Sequence, residues 1–149
     1  MSTAQHTATH WNLLVNVAEL GLEECGRRLA GQVAQRDEAS RKLQVLVDYR
    51  RMYREQREGA QRTGIAAGDL RNYQSFVASL EQATEQQSDR LTEISKAIFD
   101  TKGEIRELQR KIHSYRVLQE RHDAGERIRD RRRQQGLQDE MASRMRVAR

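Results

Sequence analysis

Few side chains in this sequence could do chemistry, and they are scattered. His6 and His10 stand four residues apart, which on a helix puts both imidazoles on one face at a spacing that suits a metal ion. No third ligand stands near them, so the pair reads as part of a polar N-terminal stretch. Cys25 is the single cysteine, which excludes an internal disulfide and a multi-cysteine zinc site. It falls where an apolar residue is due and reads as a small core residue in a reducing compartment. His113 and His122 read as solvated or seam-edge residues. The sequence has no glycine-rich phosphate loop, no His-Glu-x-x-His zinc motif and no nucleophile elbow. The expectation is a protein without catalytic residues, cofactor or metal.

Two other groups of residues could bind. The first is a run of arginines, Arg127, Arg129, Arg131, Arg132 and Arg133, followed by Arg144, Arg146 and Arg149. Arginine clusters pair with phosphates and carboxylates through charge and bidentate hydrogen bonds. Three readings stay open for it: a solvated helix, a surface for an acidic or carbonyl-rich protein, and a nucleic-acid site. No aromatic residue follows Tyr115 to stack on bases, and Asp130, Asp139 and Glu140 dilute the run. The second group is aromatic and aliphatic. Leu46, Tyr49 and Tyr53 recur at 3-4 spacing, and so do Phe76, Leu80 and Ala83, with Tyr73 three residues before Phe76. Such spacing puts each set on one helix face.

The elements that must carry these groups follow from composition and period. The 149 residues contain no proline, 33% are charged and only 5% are aromatic. That composition points to long helices or a coiled coil rather than a compact domain with a large core. From Leu70, the residues Leu70, Val77, Thr84, Leu91, Ile98, Ile105 and Ile112 recur every seven positions. Tyr73, Leu80, Gln87, Ile94, Thr101, Leu108 and Tyr115 recur three later, and eleven of these fourteen are apolar. This 3-4 pattern specifies a coiled-coil seam. A weaker heptad runs from about Thr9 to Arg57 through Leu22, Cys25, Leu29, Ala39, Leu43, Leu46 and Tyr53. Between them lies EGAQRTGIAAGD, whose three glycines allow a turn. Asp69 is the expected N-cap of the second helix.

The pattern therefore predicts an all-α fold: a long antiparallel two-helix coiled-coil hairpin with an overhanging C-terminal helix, in one domain spanning residues 1–149. Helix 1 runs over about 9–57, the turn over about 58–68 and helix 2 over about 69–146. Folding about residue 63 brings Tyr53 to Tyr73, Leu46 to Leu80, Leu29 to Ile98 and Trp11 to Tyr115, which is where the seam stops. The overhang carries much of the charge excess, since residues 121–149 hold nine basic and five acidic side chains and the whole chain is +5. The longest apolar runs are three or four residues, too short to span a membrane, and no secretory leader is visible. Near the turn, the apolar face is wider than a two-helix seam requires. The seam uses Leu46, Tyr53, Tyr73 and Leu80, whereas Tyr49, Phe76 and Ala83 are surplus to it, as expected of a protein-binding surface.

The stretch Leu46-Val-Asp-Tyr-Arg-Arg-Met-Tyr53, the glycine-containing turn, and Asn72-Tyr-Gln-Ser-Phe-Val-Ala-Ser-Leu-Glu-Gln-Ala83 together resemble the flagellar export FliJ family. That family reads L-x-D-Y-x-x-x-Y, a short turn with glycine, then N-Y-Q-x-F-x-x-x-L-E-x-A. The resemblance implies a soluble, non-enzymatic stalk or escort of the flagellar type III export apparatus, cytoplasmic and only peripherally at the inner membrane. Its implied partners are the hexameric export ATPase, the cytoplasmic part of the membrane export gate, and export chaperones. Carried over by residue, the gate-binding surface falls on Leu46, Tyr49, Tyr53, Phe76, Leu80 and Ala83. Lys42 and Gln87 stand where the family often has glutamine and histidine. The basic tail, Arg127, Arg129, Arg131, Arg132 and Arg133, is implied to face the ATPase. The alternatives are a basic coiled-coil nucleic-acid-binding protein and a structural spacer.

Overall fold

A computed structural model describes the backbone of residues 2–64 and 66–148, with side chains from His10 onward. It contains two long helices, α1 (Ser2–Gln61) and α2 (Ala67–Val147), and no strand among the described residues. The fold is all-α, with α2 packed antiparallel against α1. Both helices run further than the heptads alone suggest. α1 begins seven residues before Thr9 and passes Arg57 to Gln61, since Ala and Gln in both added stretches, with Glu58 in the second, favour a helix without a seam partner. The turn is thus confined to residues 62–66. Among its described residues only Gly64 has a positive φ, +85°, the left-handed backbone that favours glycine. Gly59 and Gly68 lie inside the helices. Asp69 is correspondingly not the N-cap. Ala66 holds that place, its carbonyl accepting from the Asp69 and Leu70 amides at 3.1 and 3.2 Å. Asp69 sits in the first turn, where its charge complements the helix dipole.

The chain divides into two compact units: residues 1–24 with 105–149, and residues 25–104. In the first, Val15 and Ala18 of α1 bury against Ile112 of α2, with Leu22 and Tyr115 packed around them. The Trp11 ring tilts against Tyr115 with centroids 6.2 Å apart. At the edges Arg116 donates to Glu19 at 2.9 Å, and the Gln119 amide donates to Asn12 at 2.8 Å.

In the second unit Cys25, Ala39, Leu80, Ile98 and Thr101 are buried. The deepest side chain is Thr101, 2% exposed, rather than the isoleucines of the seam. A buried hydroxyl needs a partner, and Thr101 Oγ1 donates to the Ala97 carbonyl one turn back at 3.0 Å. Thr84 does the same to Leu80 at 2.7 Å. Gln87 instead crosses the seam, its amide donating to the Ala39 carbonyl at 3.1 Å, and the small Ala39 leaves room for it. These contacts account for the three polar positions in an otherwise apolar α2 seam. The Cys25 side chain is buried, as its seam position predicts. It lies 3.5 Å from Glu104, whose carboxylate also accepts from Arg28 at 2.8 Å. The Arg28 hydrogen bond, then that of Cys25, then the Arg28 charge hold the Glu104 carboxyl below the usual carboxylate range.

Candidate protein-binding face

Six residues nominated by sequence lie on the two helices of the second unit, on either side of the turn. Their 3-4 spacing puts Leu46, Tyr49 and Tyr53 on one face of α1, and Phe76, Leu80 and Ala83 on one face of α2. Leu80 is buried, Leu46, Tyr53 and Ala83 are half-buried, and Tyr49 and Phe76 are 50% and 40% exposed. Tyr49 and Phe76 are thus more exposed than the seam residues, whereas Ala83, also surplus to the seam by spacing, is half-buried like Leu46 and Tyr53. Tyr53 joins the two faces, since its ring stacks on Phe76 with centroids 4.2 Å apart and approaches Tyr73 at 6.1 Å.

Three features of this region were not read from the sequence. Val45 and Met52 are about half exposed and flank Tyr49 at i−4 and i+3, so the outward apolar strip on α1 is longer than the three nominated residues. The spacing of Val45, Tyr49 and Met52 is itself a helical-face signal that could have found it. Next, the Arg57 guanidinium lies 4.9 Å from the centroid of the Tyr73 ring, a cation–π arrangement that fixes both. Nothing in the one-dimensional pattern foretells it. Last, a cavity of about 290 Å³ opens beside the turn, lined by Tyr53, Arg57, Gly64, Asp69 and Tyr73 among others.

The arginine run is also in place. It lies on α2 in the first unit and is exposed throughout. Arg129 pairs with Glu126 at 3.1 Å and Arg133 with Asp130 at 3.9 Å, along the helix. Arg127, Arg131 and Arg132 have no ion pair among the described residues, so their charge faces solvent. The side chain of His6 lies outside the described residues. Among those described, no three His, Cys, Asp or Glu residues are grouped to hold a metal ion, and no helix is long and apolar enough to cross a membrane.

Residues 10–149 match the family described as Flagellar FliJ protein. The chain is 30% identical over 141 residues to a Flagellar FliJ protein of Salmonella typhi, covering 95% of both chains. It is 28% identical over 131 residues to a Flagellar FliJ protein of Escherichia coli K12, covering 88% of this chain and 89% of that one. No solved structure gives a significant match.

Proposed function

This chain belongs to the flagellar FliJ protein family, and from that premise we propose that it is a non-enzymatic coupling protein of flagellar protein export. The face around the turn receives the cytoplasmic part of the export gate. The contacting residues are Leu46, Tyr49, Tyr53, Phe76, Leu80 and Ala83, with Tyr49 and Phe76 as the anchors. The exposed basic tail, Arg127 to Arg133, engages the hexameric export ATPase, and export chaperones are escorted by the same protein. It works in the cytoplasm and meets the inner membrane only through these partners.

The observation that carries this reading is the surplus apolar surface beside the turn. Two helices bury their seam with Tyr53, Tyr73 and Leu80, yet Val45, Tyr49, Met52 and Phe76 stay open to water at one place. Clustered exposed aromatic and aliphatic side chains are costly unless a partner covers them, and aromatic anchors dominate binding energy at protein interfaces. The tail supports the second contact through Arg127, Arg131 and Arg132, which have no ion pair among the described residues, while Arg129 and Arg133 pair with Glu126 and Asp130. The test is co-purification with the export ATPase and, separately, with the cytoplasmic part of the gate. Removing residues from Arg127 onward should abolish ATPase capture and spare gate capture. Tyr49→Ala should do the reverse. Loss of both contacts in either variant would refute the assignment of two separate surfaces.

A further inference from the structure

Among the described Phe, Tyr and Trp side chains the most exposed is Phe99 of α2, 69% open to water and part of neither surface assigned above. Lys96, Lys102, Arg106 and Arg110 stand at i−3, i+3, i+7 and i+11 from it, on the same side of the helix. No acidic residue falls on that side between Thr92 and Val117. α2 is unbroken through this stretch, so the register of one helix sets the ridge. All four cations are exposed, and Lys96, Lys102 and Arg106 have no ion pair among the described residues. Of the acids that border the ridge, Glu107 pairs with Arg110 at 2.6 Å, and Glu19 of α1 is taken by Arg116 at 2.9 Å. Asp100 of α2 and Glu23 of α1 make no ion pair among the described residues. A groove of about 510 Å³ continues the ridge, lined by Arg106, Gln109, Arg110, His113 and Ser114.

Folding does not account for this arrangement. The seam at this level uses Ile98 and Thr101, both buried, and leaves Phe99 out. Lys102, Arg106 and Arg110 stand at i, i+4 and i+8, where like charges destabilise a helix. A surface that brought carboxylates would relieve that repulsion and cover the ring. We propose that the ridge docks an acidic amphipathic helix of a partner protein, with one apolar side chain on Phe99 and carboxylates against Lys102 and Arg106. Cations four residues apart on α2 are separated by roughly 6 Å along its axis. Carboxylates at i and i+4 of a helix lying alongside repeat at the same distance, so the two rows stay in step. A nucleic acid fits less well. The ridge is one helix face wide, and phosphates laid along it would also run over Asp100 and Glu107. No second Phe, Tyr or Trp stands beside Phe99 to extend a stack of bases. The docking surface shares no residue with the gate face or the arginine tail, and it does not depend on the export reading.

The test titrates the purified full chain into a fluorescein-labelled synthetic helix of alanine, glutamate and leucine, read by fluorescence anisotropy at low salt. Its glutamates stand at i, i+4 and i+8, with one leucine on the same face. The expected result is saturable binding that added salt weakens. Lys102→Glu with Arg106→Glu should raise the dissociation constant roughly tenfold or more, and Phe99→Ala about fivefold. Arg144→Glu with Arg146→Glu, in the tail, should leave it within about twofold. Arg106→Glu alone should not lower the melting temperature, because it replaces two like-charge contacts with opposite-charge ones. A peptide that does not bind the wild-type chain would overturn the proposal. So would binding lost on reversing the tail charges and kept on reversing Lys102 and Arg106, or an Arg106→Glu chain that melts earlier, since Arg106 would then serve the fold. A single-stranded DNA oligonucleotide that binds more tightly than the peptide and depends on Lys102 and Arg106 would assign the ridge to nucleic acid, and would equally overturn it.

Discussion

Tyr49 and Phe76 are both nominated as partner anchors, but the structure sets different costs on removing them. Phe76 is 40% exposed, so more than half of the ring is out of water, and it stacks on Tyr53 at 4.2 Å. Full burial of such a side chain contributes about 1.5–3 kcal/mol. Partial burial here contributes about 1–2 kcal/mol, and the ring pair adds about 0.5–1 kcal/mol. Phe76→Ala should therefore destabilise the chain by about 1.5–3 kcal/mol. Tyr49 is 50% exposed and has no ring contact among the described residues. Its removal should cost about 1 kcal/mol or less, part of which alanine's higher helix propensity returns. The assay is urea unfolding followed by circular dichroism, with both variants compared at constant slope. If Tyr49→Ala costs as much as Phe76→Ala, Tyr49 is a core residue. The argument that it is kept free for a partner would then fail.

Other outcomes follow from the same packing. Gly26→Ala should stabilise the chain by about 0.5–1 kcal/mol, because a Cβ there meets nothing within 4 Å and alanine is the better helix former. A lowered melting temperature would contradict it. Ile98→Ala should cost about 2–4 kcal/mol by denaturant unfolding, since Ile98 is buried in the seam of α1 and α2. The Arg28–Glu104 pair should make stability depend on pH. The folded carboxyl holds its proton less readily than the unfolded one, so the contribution is present above the ordinary glutamate range. It is lost as pH falls through the lowered folded value. Wild type should melt above Glu104→Gln near pH 7, by a margin that shrinks as the pH is taken below the ordinary glutamate range. A gap constant with pH would refute the pairing.

The helices and their register were legible because both rest on period. The fourteen seam positions of α2 and the fold-back about residue 63 come straight from the spacing of apolar residues. The Tyr53–Tyr73 and Trp11–Tyr115 contacts bear out that register. The limits of the turn were not legible, because three glycines within twelve residues each permit a turn. Only the folded backbone shows that Gly64 alone takes the left-handed conformation. Thr84, Gln87 and Thr101 looked like interruptions of the seam. Their hydrogen bonds to backbone carbonyls, which no heptad count reveals, make them part of it. The candidate face was legible in outline as residues the seam does not use. The Tyr53–Phe76 stack and the Arg57–Tyr73 contact depend on side-chain geometry across the two helices and were not.

The central claim is that Tyr49, on the face beside the turn, is kept for the export gate rather than for folding. The most direct test is the affinity of Tyr49→Ala for the cytoplasmic part of the gate, measured by titration calorimetry beside the wild type. A buried aromatic anchor contributes on the order of 2 kcal/mol, so the dissociation constant should rise roughly thirtyfold while the unfolding midpoint hardly moves. An unchanged dissociation constant in a fully folded Tyr49→Ala chain would contradict the account.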